Sequence, residues 1–333
     1  MDTKLFQMKE TIEESELKAV AKMLQAGETV AFPTETVYGL GANATDEAAV
    51  QKIFQAKGRP SDNPLIVHVA SKEDLYALTT DLPAYVDALI YHFSPGPITY
   101  VLADAGKVAP TVTAGLSTVG VRIPNHPVAL AILQATKLPL AAPSANRSGR
   151  PSPTEAAHVA TDLMGKIGAL VDGGTTDVGI ESTVLDCTGE FPLILRPGAI
   201  TADDIARIAG ACHTYEIEGE ADKPKSPGMK YVHYAPEVPL ILVGRERLSE
   251  TIAHYQEKAQ RIGLLYESEA FARVDLAKKR HIGQGEGEIA QALYRHLRAF
   301  SKADVDVLIC EYPSLAKGHA ILDRLERAAT EII

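Results

Sequence analysis

The sequence predicts an α/β fold in two parts: a twisted, mixed sheet with helices over residues 1–210, and a smaller parallel α/β domain over residues 239–333. Three observations predict it. The chain has 333 residues, 46% hydrophobic and 23% charged, which is an ordinary globular composition but long for a single core. Short apolar runs alternate with helical periodicity from residue 28 to residue 210. Between Gly219 and Pro236 the composition shifts to Gly, Pro, Lys and Tyr, and a second alternating segment follows, which makes residues 211–238 a linker.

In the first part, strands are expected at Thr29 to Phe32, Leu65 to Val69, Ile98 to Leu102, Gly120 to Ile123, Leu138 to Ala142, Ala169 to Val171, Ser182 to Asp186 and Leu193 to Leu195. A helix over Ala48 to Lys57 places Val50, Ile53 and Phe54 on one face. Other helices open at Ser71 with Asp74 three residues on, at Pro127, at Thr154, and at Thr201 with Asp204 three residues on. Only six residues join the last two strands, so the sheet is partly antiparallel. The linker holds Met229, Tyr231, His233 and Tyr234, large groups that gain by docking, where a plain spacer would be Gly/Ser-rich or charged. Beyond it, strands at Leu240 to Val243, Ile262 to Tyr266 and Val305 to Cys310 are separated by helical stretches at Glu246 to Gln260 and Glu288 to Ser301. That pattern is a βα-type parallel sheet.

The loop from Lys57 to Pro64 carries the strongest chemical signal. Gly58 can leave the helix in a left-handed conformation, and Pro60 and Pro64 hold Arg59 and Asn63 extended. Lys57, Arg59 and Asn63 then project from a stiff frame suited to phosphate or carboxylate oxygens. Taken alone, the two cations fit better as a solvated helix end offsetting its dipole, and it is the rest of the chain that reverses the balance.

Four further segments add to it. In Pro33-Thr34-Glu35-Thr36-Val37-Tyr38-Gly39, two hydroxyls follow a strand and either face a cleft or brace their own turn. Pro143-Ser144-Ala145-Asn146-Arg147-Ser148-Gly149-Arg150-Pro151-Ser152 offers small donors and acceptors beside an accessible backbone, or is a plain connection. Arg122 sits within an apolar strand, where it meets a buried anion or turns to solvent. Leu195-Arg196-Pro197-Gly198 repeats the device of an Arg at a strand end. His68, on the strand leaving the first loop, carries little weight alone.

Composition limits the alternatives. The net charge is −10 while residues 238–333 are balanced, so the acidity lies in the first two thirds and disfavours tight sequence-independent nucleic-acid binding. Three widely spaced cysteines, Cys187, Cys212 and Cys310, argue against a disulfide framework or structural zinc and are expected as small buried apolar residues. No apolar run is long enough to span a bilayer and the start lacks a signal-peptide core, so the expected location is cytoplasmic, away from membranes. No Walker-type loop occurs, and Gly283-Gln284-Gly285-Glu286-Gly287 lacks the last glycine of a dinucleotide fingerprint, so a bound nucleotide must be held by side chains.

Together, Phe-Pro-Thr-Glu-Thr-Val-Tyr-Gly-Leu, Lys-Gly-Arg-Pro-x-x-Asn-Pro-Leu, Val-Arg-Ile-Pro, Ala-Pro-Ser-Ala-Asn, Glu-Ser-Thr-Val, Leu-Arg-Pro-Gly and Pro-Gly-Met-Lys-Tyr-x-His-Tyr-Ala-Pro closely resemble, in order, the YrdC-type threonylcarbamoyl-AMP synthases in their two-domain form. The match runs through the linker, and the last third matches in layout. The resemblance implies a YrdC-like sheet, a small Rossmann-like α/β domain, and a linker acting as a lid. It implies synthesis of L-threonylcarbamoyl-AMP and pyrophosphate from L-threonine, bicarbonate or CO2 and ATP, with Mg2+ accompanying the nucleotide. The product would pass to a transferase complex that modifies tRNA, direct tRNA binding being weak at most. By motif, Lys57, Arg59, Asn63, Thr118, Ser144, Asn146, Ser152, Arg196 and Tyr234 would bind ATP, with Lys57, Arg59 and Arg196 catalytic. Thr36, His68, Arg122, Ala142 and Ser182 would bind L-threonine, and no protein-held metal is implied. An RNA-binding module is the rival reading. A hydrogenase-maturation carbamoyltransferase, the third, lacks its cysteine pairs here.

Overall fold

Each of the eight strands expected in residues 28–210 forms, and four others join them. The computed structural model describes residues 2–214, 233–316 and 318–333. They fall into two units: Met1–Ser148, Pro153–Asp177 and Glu181–Lys230, and separately Gly149–Ser152, Val178–Ile180 and Tyr231–Ile333. Met229 and Tyr231 of the expected lid lie outside the described residues.

The first unit runs β1 (Lys4–Gln7), α1 (Glu14–Gln25), β2 (Val30–Phe32), β3 (Gly39–Asn43), α2 (Glu47–Lys57), β4 (Ile66–His68), α3 (Lys72–Ala77), β5 (Thr79–Thr80) and α4 (Ala84–Phe93). It continues through β6 (Ile98–Asp104), α5 (Pro110–Thr113), β7 (Thr118–Arg122), α6 (Pro127–Thr136), β8 (Leu140–Ala141) and α7 (Ala156–Leu163). The last elements are β9 (Ala169–Asp172), β10 (Thr183–Asp186), β11 (Leu193–Arg196), α8 (Ala202–Ala209) and β12 (His213–Thr214). Asp46 caps α2 by accepting from the amides of Ala48 and Ala49, and Gly58 ends that helix at φ 61°. Thr201 and Asp204 form the full capping box of α8. The Thr154 signal is misplaced: α7 begins after Glu155, with no side-chain cap.

The strands make one mixed twelve-stranded sheet, ordered β1-β9-β2-β3-β8-β4-β7-β6-β10-β11-β12, with β5 on β6. Alternation along the strands divides the central ones between two faces. Val67, Tyr100, Val121 and Leu185 enter the main core with Ile53, Phe54 and Leu89. Ile66, Val101, Val184 and Leu195 make a small apolar patch on the opposite face. The sheet register aligns His68 with Arg122 and with Leu140, and Val184 with both Thr99 and Arg196. Because Tyr100 pairs with Val121, the next antiparallel pair is Thr99 with Arg122. One row therefore crosses five strands from His68 through Arg122, Thr99 and Val184 to Arg196, which a register irregularity between Val184 and Leu185 sets opposite Val184 even though its neighbour Leu195 lies on the same face.

The second unit contains β13 (Leu240–Val243), α9 (Leu248–Glu257), β14 (Ile262–Tyr266), β15 (Lys278–His281), α10 (Gly285–Arg298), β16 (Val307–Glu311), α11 (Ala320–Ala328) and β17 (Glu331–Ile332). Its five strands lie in the order β15-β14-β16-β13-β17, and every pair is parallel. The two strands the sequence does not reveal are polar: Lys278–His281 is basic, and Glu331–Ile332 is an exposed edge. Cys187 and Cys310 are buried as expected, whereas Cys212 is only half-buried because it follows the exposed end of α8.

Candidate active site

Three of the residues expected to hold the amino acid, Thr36, His68 and Arg122, meet at the ends of β4 and β7. Arg122 is 4% exposed; it donates from Nη1 to the Thr36 hydroxyl at 2.9 Å and sets Nη2 2.5 Å from a Glu35 carboxylate oxygen. Burial thus favours the buried-anion alternative over the solvent one, with Glu35 as the anion inside the protein. Thr34 and Thr36 divide the two roles suggested for them. Thr34 Oγ1 braces its own turn, accepting from the amides of Thr36 and Val37, while Thr36 turns its hydroxyl to Arg122.

His68 stands beside Arg122 in the row and meets Phe32 edge-on at 6.5 Å between centroids. Burial first, then the Arg122 charge, pushes its imidazole down to about 3, so the ring is neutral near pH 7. Among the described residues neither its Nδ1 nor Nε of Arg122 has a hydrogen-bond partner. A buried polar atom in that state has bonding capacity to spare. Ser182 joins through the row: its hydroxyl is 2.8 Å from that of Thr99, and Arg196 donates to both its carbonyl and its hydroxyl. The Ala142 amide is committed to the carbonyl of Ile66, which leaves only that residue's carbonyl for a ligand.

At the other end of the same strands, Lys57 is 2% exposed and its ammonium binds the carbonyls of Ser144 and Asn146 at 2.5 and 2.6 Å. The Lys57 carbonyl in turn accepts from the Ser148 amide, and the Ser144 hydroxyl donates to Asn146 Oδ1. A buried cation folds this loop onto the end of α2, which a plain Pro/Ser/Gly connection would not need. Arg59 reaches the carbonyls of Asn63 and Pro64, and Asn63 is 1% exposed with Oδ1 unpartnered.

Between these ends lies a trough lined by Pro64, Leu65, Ile66, Thr99, Val101, Val112, Leu116, Thr118, Gly120 and Val184. Its floor is flat because Gly120 has no side chain. A Cβ there would project between Thr99 and Ile66, 3.5 and 3.7 Å from their nearest carbons. Thr118 stands on its rim. Sequence reasoning missed Glu35, Thr99 and Gly120; the available signal for Glu35 was a carboxylate between two threonines just past a buried strand.

Two expected ATP residues belong to the second unit. Ser152 is buried there. Tyr234 stacks on Tyr294 at 5.4 Å and carries Arg324 over its ring at 5.8 Å. Among the described residues no group of three or more His, Cys, Asp or Glu side chains could hold a metal ion, and no helix is long and apolar enough to cross a membrane.

Comparison with known proteins agrees with this layout. Residues 22–198 match a Sua5/YciO/YrdC family model described as "Telomere recombination", and residues 200–330 match "Threonylcarbamoyl-AMP synthase, C-terminal domain". A threonylcarbamoyl-AMP synthase of Bacillus subtilis is 46% identical over 94% of this chain and 93% of its own length. One from Pyrococcus abyssi is 42% identical over 98% of each. The crystal structure of P. abyssi Sua5 complexed with L-threonine superposes with a TM-score of 0.93, at 42% identity over 99% of both chains. Escherichia coli YciO, at 18% identity and TM-score 0.55 over 61% of this chain and 99% of its own, shares the fold. The chain belongs to the Sua5-type threonylcarbamoyl-AMP synthases, the enzymes that make threonylcarbamoyl-AMP for N6-threonylcarbamoyladenosine modification of tRNA.

Proposed function

We propose that the amino acid and ATP occupy the two ends of the trough of the first unit, and that catalysis comes from their placement. The observation that carries this reading is the row His68–Arg122–Thr99–Val184–Arg196. Successive strands are about 4.8 Å apart, so the Arg122 and Arg196 backbones stand about 14 Å apart on one face. Arg122, Thr36, His68, Ser182 and the Ala142 backbone would bind L-threonine, with the guanidinium on its carboxylate. Neutral His68 offers a hydrogen bond with no charge of its own.

ATP would lie along the trough, its nucleoside over Gly120 and beside Thr118, its phosphates toward Lys57, Arg59, Asn63, Ser144, Asn146 and Arg196. The chain would divide into residues 1–210, a linker over 211–238 and residues 239–333. Mg2+ would arrive on the nucleotide phosphates and help neutralise them.

The threonine amine captures carbon dioxide as a carbamate, losing a proton. A carbamate oxygen attacks the α-phosphorus and pyrophosphate departs. None of these residues is a covalent nucleophile, so Lys57, Arg59 and Arg196 act by stabilising charge on the pentavalent phosphorus. Excluding water protects the carbamate from losing carbon dioxide. The location would be cytoplasmic, with the product passed to a tRNA-modifying transferase.

The test is pyrophosphate release from ATP with L-threonine and bicarbonate omitted in turn. Release should require both. Undiminished release without either would overturn the reading, and salt-sensitive RNA binding without ATP or threonine would favour the RNA-binding rival.

A further inference from the structure

The Glu35 carboxylate has no place in the reaction so far. It is 4% exposed, one oxygen lies 2.5 Å from Arg122 Nη2, and neither oxygen has a partner of hydrogen-bonding geometry among the described residues. Leaving a buried carboxylate so poorly served is costly unless its charge has a use. Arg122 is pinned on one side by Glu35 and on another by Thr36, with Nε open.

We propose that Glu35 is a specificity-determining residue: by cancelling the charge of Arg122 it makes the pocket accept a zwitterionic amino acid and refuse simple anions. This rests on the placement of the amino acid at Arg122. The physical reasoning concerns net charge. An unpaired buried guanidinium would attract any anion, including the phosphates and pyrophosphate present in the same trough. With Glu35 beside it, and with His68 neutral, the pocket has no net charge. A carboxylate alone then gains from Arg122 but is repelled by Glu35. An amino acid brings its own ammonium, and the four charges can alternate in sign. Discrimination thus arises partly from repulsion of the wrong ligand.

The test compares L-threonine with its 2-hydroxy analogue, which has the carboxylate and no ammonium, in binding to the full chain by calorimetry without ATP. For the unaltered protein threonine should bind much more tightly. In Glu35→Gln, which keeps the shape and removes the charge, the ratio of the two affinities should fall by about tenfold or more, with inorganic pyrophosphate competing better against threonine. In Glu35→Asp the preference should persist even where both ligands bind more weakly. Should Glu35→Gln leave the ratio unchanged while only lowering the melting temperature, Glu35 is a structural ion-pair partner and the inference is wrong. Arg122→Ala separates the two levels: unchanged threonine affinity there removes the amino acid from this pocket altogether, whatever Glu35 does.

Discussion

Both units place charged side chains at the carboxyl ends of their strands, and they finish them differently. In the first, Arg122 Nε and His68 Nδ1 at the ends of β4 and β7 and, at the opposite end, Asn63 Oδ1 have no hydrogen-bond partner among the described residues. In the second, the cluster is closed. Glu311, at the end of β16, accepts from Arg245 Nε at 2.8 Å with one oxygen and from the amides of Glu267 and Ser268 at 2.7 and 2.8 Å with the other. His281, at the end of β15, accepts at Nδ1 from the Gly283 amide, and its Nε2 lies 3.0 Å from the Glu267 carbonyl. Buried polar groups stabilise most when fully satisfied. The contrast is what the proposed function draws on: bonding capacity is left over in the first cluster and used up in the second.

The sharpest way to break that contrast is to remove one charge from each. Arg59→Ala should lower kcat/KM by about 100-fold or more, because a cation aimed at developing phosphorus charge is lost. Its melting temperature should stay within about 3 °C of the parent, since Arg59 is only half-buried. Equal losses of activity and stability would erase the distinction. Glu311→Ala should do the reverse, lowering the unfolding free energy by about 2 kcal/mol in urea titrations as two amides and Arg245 lose their acceptor. KM values for threonine and ATP should remain within about twofold, and a large rise in either would place a ligand at the second cluster.

A further test concerns acid. Folded His68 titrates at about 3 against an ordinary 6.5, so as pH falls below 6.5 the unfolded chain takes up a proton that the folded one refuses. Stability from this source is complete above 6.5 and drains away toward pH 3. His68→Gln should flatten the pH dependence by about 1.4 kcal/mol per unit between pH 6 and pH 4. His296 of the second unit, lowered to about 4 mainly by burial, should keep its own acid sensitivity in that variant. Parallel curves for parent and variant would show that His68 does not carry the effect.

The regular parts of this architecture were open to sequence reasoning because short-range physics decides them. Apolar runs gave the eight buried strands of residues 28–210, Gly58 gave the end of α2, and Thr201 with Asp204 gave the start of α8. Missed elements lacked those signals. The strand Lys4–Gln7 is mostly exposed and forms by pairing with β9, and Gly39–Asn43 is glycine-rich yet buried up to its last residue. Arg122 stood out because a cation in an apolar strand is conspicuous. Its partner did not, because Glu35 lies 87 residues earlier in an ordinary-looking turn, and only the fold brings the two together. Gly120 escaped for the opposite reason: its role is to be absent from a surface, which no local pattern announces.

The row from His68 to Arg196 acts as a ruler whose graduations are whole strands. Main-chain hydrogen bonds set the spacing between its marks, so point substitutions can change which group stands at a mark but not the interval between marks. Evolution or engineering could therefore exchange the side chain at either end far more readily than lengthen the span between Arg122 and Arg196, because a longer span would require another strand.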